Sequence, residues 1–453
     1  MNITIAILVI YLAVMFSVAW LVSRKQTLES YFVNKRKTSV WLMTFSTIAT
    51  IIGASATVAV VAEVYNSGIS FGIALPASFI IGMLILGLIA KKIKTMGDEY
   101  GAHTIVDFFE KRFGRKNRNI AGVLQLFLIV ILIGVQAIAI SSLAAVLIGI
   151  DYEVAVFMAA AVAILYTAIG GLRVDIINDF IQFWVIMIVF FAMAVIGYQH
   201  VGSFGELLSR LPAGHLDPFA FGGVSWFFGV LLISGFLHLG NTTHWQRIFS
   251  AESNDVAKRS FFFAMPITAF FSFIILFLGL VAAVLLPAVQ KDTAIFALMN
   301  AILPPWLVGA GFAAILAVIM SSVDSLLVGG STIIHKAAFK DMEERKGLLY
   351  ARILTVLFGA FGFALAYLFP NIVALSLLVS YLALVFVPSI YAGLYSKVSA
   401  DASFYSILIP SILLFVLFPL MKENSFLPTV LSSVLIIVFY DKVFRKKPGG
   451  HLV

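Results

Sequence analysis

Thirteen apolar stretches, most near the ~20 residues a helix needs to cross a bilayer, follow one another along this chain with short loops between them. They fall at 2–22, 40–65, 72–94, 119–147, 153–171, 176–198, 223–241, 261–287, 307–335, 350–368, 371–396, 403–420 and 425–441. The first lacks the basic leader and small-residue cleavage site of a signal peptide, so it reads as a span. Of the 453 residues, 62% are hydrophobic and 11% are charged, against about 25% charged in an ordinary soluble domain. No single soluble core absorbs so much apolar surface. The expected fold class is therefore an all-α polytopic membrane protein, one transmembrane domain over 1–453 in the cell membrane.

Loop charge tests this division, because lysine and arginine collect on the cytoplasmic side of short loops. With the N-terminus outside, the inner loops take Arg24 to Lys37, Lys91 to Arg118, Arg173, Arg247 to Arg259, Lys336 to Arg352, Lys397 and the stub at 442–453. Of the 30 basic residues only Arg210, Lys291 and Lys422 remain outside. A missed or invented span would invert every later loop, so thirteen spans with the N-terminus out and the C-terminus in are expected. The net charge of +8 is scattered through loops and forms no nucleic-acid-binding face. No cysteine is present, which excludes disulfides and thiolate metal sites. The longest external loop, 199–222, is too short to fold alone, and no protein partner is implied.

Four motifs carry a family likeness. The stretch YTAIGGLRVDIINDFIQ contains Tyr166, Thr167, Gly170, Gly171, Asp179 and Gln182 at the spacing of a known signature, with Asn178 where threonine is usual. Glu29 to Trp41, His244 to Arg259 and Ile319 to Leu327 agree with further motifs in order and spacing. Over nearly its whole length the chain resembles the sodium/solute symporter family. The resemblance implies a leucine-transporter-type fold with two inverted five-helix repeats, spans 2–6 (40–198) and 7–11 (223–396). The first span is then peripheral and two C-terminal helices follow at 403–441.

In such folds, ion and solute lie near the midplane, where broken helices expose carbonyls. Ile51 to Val58, IIGASATV, offers small and hydroxyl residues where a helix can unwind, although such residues equally permit close helix packing. Sodium is a hard cation suited by oxygen ligands. The resemblance places the shared sodium site at the carbonyls of Ala49, Ile52 and Val318 and the hydroxyls of Ser321 and Ser322. A second cation site is implied at Ser321, Asp324, Ser325 and Asp179. A carboxylate inside a span costs ~3 kcal/mol on insertion scales and usually marks an ion or proton path.

Candidate solute contacts are Ile51, Gly53, Ala54 and Ala56 at the break, Gln136 on the fourth segment, and Ser234 and His238 on the seventh. Glu63, near the end of the second segment, is expected to be solvated. The expected activity is sodium-coupled symport of a small solute, an amino acid or organic carboxylate being favoured because the break offers few partners for sugar hydroxyls. Alternatives are a proton-coupled carrier using Asp324 or Asp179, a sugar or vitamin symporter, and a transporter-like sensor. An enzyme is disfavoured, since no histidine–acid or metal-ligand group stands at helical spacing.

Overall fold

The computed structural model describes residues 3–24, 26–148, 152–339, 342–368 and 372–444. The expected stub from 445 onward lies outside the described residues, as do positions 2 and 371 at the starts of two expected segments. Helices α1 (Ile3–Ser23) and α2 (Leu28–Val33) lead into α3 (Val40–Ile51), α4 (Val58–Ser67), α5 (Ile69–Tyr100), α6 (Ile105–Phe113), α7 (Arg115–Ile148) and α8 (Tyr152–Val201). After α9 (Phe204–Arg210) come α10 (Gly223–Ile233), α11 (Thr242–Ser250), α12 (Asn254–Leu285), α13 (Ala294–Ile302) and α14 (Pro305–Ala338). The chain then continues through α15 (Glu344–Leu368), α16 (Ile372–Tyr395), α17 (Ala400–Met421) and α18 (Phe426–Phe444). Among the described residues there is one extended pairing, a bridge between Thr38 and Ala251 that ties the entry of α3 to the exit of α11.

Eleven helical stretches among the described residues are long and apolar enough to cross a membrane. The difference from thirteen arises in two places. The 40–65 segment breaks into α3 and α4, of 12 and 10 residues, each too short to span alone. Segments 153–171 and 176–198 are the two helical arms of α8, which meet without an intervening loop at Gly171, where the backbone leaves helical φ/ψ. Arg173 and Asp175 looked like a loop, but helix continues through them and Asp175 is buried.

Gly171 has φ +59°, and a Cβ there would stand 2.4 Å from the Tyr31 ring, so only glycine serves the bend. The carbonyls it frees are taken up by side chains. Gln26 Nε2 donates to Gly170 O, and Arg352 Nη2 donates to Ile169 O at 3.3 Å.

α14 runs through the centre. Gly, Ala and Ser along its length let α1, α3, α7, α8 and α15 approach closely, and from Gly311 to Ile333 every residue is buried. By contrast α1, α17 and α18 turn Trp20, Val416, Leu420 and Phe439 outward, the apolar exterior that hydrocarbon surroundings require.

One end of the bundle is laced with charge. Arg36 Nη1 meets Asp98 Oδ1 at 3.0 Å, Lys336 Nζ meets Asp107 Oδ1 at 2.9 Å, and His103 Nε2 lies 2.7 Å from Glu29 Oε2. The His103 hydrogen bond holds the Glu29 carboxyl below its ordinary value. Burial raises Asp107, but the Lys336 charge and the His103 and Thr104 amides outweigh it and hold that carboxyl low. Far along the same chain, Glu63 on α4 is buried, contrary to the expected solvation, and pairs with Lys291.

Candidate functional site

The unwound stretch 52–57 between α3 and α4 leaves backbone groups without helical partners. In an unbroken helix the amide of Ala54 would serve the carbonyl of Thr50. Here Ala54 N–H donates to Gln136 Oε1 at 2.9 Å, and Ser322 Oγ donates to Thr50 O at 3.0 Å. Ser321 Oγ lies 2.8 Å from Ala49 O and 3.0 Å from Val318 O, with one proton for two acceptors. Gly53 permits this approach, since a Cβ there would fall 2.1 Å from Ser322 Oγ.

Of the five expected sodium ligands, Ala49, Val318 and Ser321 therefore meet through one hydroxyl. Ser322 serves the neighbouring Thr50 carbonyl. Ile52 is buried at the break, with its amide on Ile48 O at 3.0 Å. The donors gathered here are carbonyl and hydroxyl oxygens, the set that suits a hard monovalent cation.

A turn further along α14, Ser325 enters a second cluster built around Arg247 of α11, which is fully buried. The guanidinium donates to Ser325 Oγ at 2.7 Å, Asp179 Oδ2 at 2.9 Å, Ser46 Oγ at 3.0 Å and Asp175 Oδ2 at 3.3 Å. Ser46 Oγ donates to Asp179, and Ser325 Oγ to Asp175. Loop charge alone places Arg247 in an inner loop, whereas it and Asp175 are buried. The available signal was the pairing of Asp175 and Asp179 one turn apart on one helix face.

The residues expected around a second cation are thus divided. Asp179 and Ser325 converge on Arg247, Ser321 faces the helix break, and Asp324 accepts from Thr167 Oγ1. Asp179 Oδ1 and Asp324 Oδ2 have no hydrogen-bond partner although both are buried. Asp175 and Asp179 share one buried guanidinium and Asp324 has no ion pair among the described residues, and the excess negative charge calls for a proton or a cation.

Beside the break lies a cavity of about 120 Å³. Ile51, Gly53, Gln136 and His238, all candidate solute contacts, line it. Ser234, Ala54 and Ala56 are buried and do not line it. Phe71, Phe79, Leu128 and Leu132 form an apolar wall, while Asn241, Thr243 and His244 add polar groups that sequence inspection missed. His238 does not sit on a regular α-helix, because the expected 223–241 segment ends in a 3₁₀ turn from Ser234 to Gly240. That turn brings His238 Nδ1 within 3.0 Å of His244 Nε2.

Comparison with known proteins gives a consistent picture. The model of the family described as "Sodium:solute symporter family" matches residues 31–409. A sodium/pantothenate symporter of Escherichia coli (strain K12) is 25% identical over 477 residues, covering 98% of each chain. A sodium/glucose cotransporter of Vibrio parahaemolyticus is 24% identical, covering 75% of this chain and 69% of that one. Among solved structures, that of a Na⁺-coupled sialic acid symporter in a substrate-bound outward-open state superposes with a TM-score of 0.85 at 19% identity, covering 99% of each chain. The fold is shared with that protein.

Proposed function

Since this chain belongs to the sodium:solute symporter family, we propose that it imports a small organic solute together with sodium by alternating access. The observation that carries this reading is the seam at which Ser321 and Ser322 reach the Ala49 and Thr50 carbonyls across the broken helix. Sodium binding there turns the hydroxyl oxygens and freed carbonyls toward one ion, fixing α3 against α14. The adjoining cavity then accepts solute, and rocking of the two halves releases both on the other side. Each sodium crossing inward down the membrane potential supplies ~2.3 kcal/mol per 100 mV.

This reading includes thirteen spans, with the broken α3–α4 pair counted as one and α8 as two. It also includes the two inverted five-helix repeats and a single sodium at Ala49, Ile52, Val318, Ser321 and Ser322. The N-terminus lies outside, where Glu63 and Lys291 also fall, and the charge-laced end faces the cytoplasm. An amino acid or organic carboxylate is the favoured solute, because the cavity is lined largely by apolar side chains with a few polar groups among them. The names of relatives cover pantothenate and glucose, so a carboxylate-bearing and a sugar solute both occur within the family.

Proteoliposome uptake tests the proposal. Ser321→Ala and Ser322→Ala should each abolish sodium-driven uptake and the stabilisation of purified protein by sodium, and unchanged uptake in both overturns the assignment. A second reading rests on the unpartnered oxygens of Asp179 and Asp324: a second cation or a proton bound there drives transport. Uptake driven by a pH gradient without sodium, and lost in Asp324→Asn, would favour a proton at that position.

A further inference from the structure

Building on the symport reading, the geometry points to a specific role for the two cavity histidines. His238 and His244 are 5% and 3% exposed, and they meet edge-to-face with a 3.0 Å Nδ1···Nε2 hydrogen bond between them. His238 Nε2 and His244 Nδ1 have no partner, an expensive condition for buried polar atoms. The fold makes deliberate room for the pair. A Cβ on Gly82 of α5 would fall 2.2 Å from His238 Cδ2, and Phe79 packs edge-on against the same ring at 5.5 Å.

Whichever ring donates across the hydrogen bond, a neutral pair keeps one N–H and one bare nitrogen outside that bond. Adding one proton to the bare nitrogen converts the pair into two donors carrying one positive charge. Two N–H donors sharing one positive charge suit the oxygens of a carboxylate, and the charge is then balanced inside the cavity. Among the cavity-lining residues only these histidines titrate. Arg247, one turn beyond His244, is paired with Asp175, Asp179 and Ser325, and burial, His238 and the Arg247 charge together keep His244 neutral until an anion enters. Faces presented by α5, α7, α14 and α16 contribute Phe79, Gln136, Ser322 and Ser380, none of them ionisable in this range.

We propose that His238 and His244 together anchor the carboxylate of a small apolar monocarboxylate, taking up one proton from solution for each anion bound. The anion and proton cancel, so the charge moved per cycle is that of sodium alone.

Calorimetry on the full chain in nanodiscs with saturating sodium tests this, using propionate, butyrate and valerate beside their primary amides. Repeating each titration in two buffers of different ionisation enthalpy should show one proton taken up per carboxylate and none per amide. Carboxylate affinity should fall about tenfold per pH unit through the titration of the pair, as linkage requires for one proton, while amide affinity stays flat. His238→Phe and His244→Asn should both remove the proton uptake. Their retained stabilisation by sodium shows that fold and sodium site persist, and the wild-type measurement stands alone if either variant fails to fold. Carboxylate binding without proton uptake overturns the proposal, as does binding of glucose with no binding of any carboxylate. Sodium-induced stabilisation in the same samples reads the symport proposal separately.

Discussion

Two single residues hold the proposed ion-binding region in shape, one by having no side chain and the other by neutralising charge. Gly53 leaves space for Ser322 Oγ, and a methyl group there would meet that oxygen at 2.1 Å and Gln136 Nε2 at 3.2 Å. Gly53→Ala should displace the hydroxyl and weaken sodium binding about tenfold, the scale of one hydrogen-bonding group lost. A sodium titration followed by thermal shift measures it, and an unchanged midpoint would separate Ser322 from the ion. Arg247 is the sole buried cation among Asp175, Asp179 and Asp324 in the described residues. Arg247→Met should cost about 3–5 kcal/mol by leaving carboxylates buried and unpaired. Arg247→Lys should recover only part of that, because a point charge cannot serve the several partners of a planar fork. Thermal unfolding in detergent distinguishes the two variants.

At the scale of elements, the bend in α8 and the charge-laced end each make a quantitative expectation. Gly171→Ala forces a residue with a side chain into positive φ against the Tyr31 ring, at a cost of order 1–3 kcal/mol, read as a lower unfolding temperature. At the charge-laced end, the hydrogen bond from His103 holds Glu29 below its ordinary 4.5. Its contribution is therefore complete above 4.5 and is lost as pH falls through the lowered folded value. The gap in unfolding midpoint between wild type and Glu29→Gln should be constant near neutrality and close in acid, and a gap that persists in acid would remove Glu29 from the network. The α3–α4 break was legible through the family resemblance, since the small residues from Ile51 to Val58 by themselves equally permit close helix packing. The start of the second arm immediately after Gly171 was not, since Arg173 and Asp175 look like loop until their partners are known. Those partners are distant in sequence, and a hydropathy window sees only neighbours.

For the whole molecule, the apolar segments, their order and the family motifs were written in the local pattern of the chain. The assembly of the polar interior was not. Arg247 follows the same loop-charge rule as any surface arginine until α8, α11 and α14 are packed together. His244 becomes a cavity residue only because the 3₁₀ turn folds it back onto His238. Transport energetics are likewise a property of the whole. With one sodium as the net charge moved, initial uptake into proteoliposomes should rise when the interior is made negative and fall when potassium and valinomycin set the potential to zero. Insensitivity to potential would exclude net movement of one charge. The bend at Gly171 also has a mechanical meaning. Thr167, which holds Asp324, lies one turn before it, and Asp175, which holds Arg247, lies one turn after it. Gly171 is thus a joint between two arms that hold neighbouring residues of α14, Asp324 through Thr167 and Ser325 through Asp175, so its backbone geometry sets the register of both grips at once.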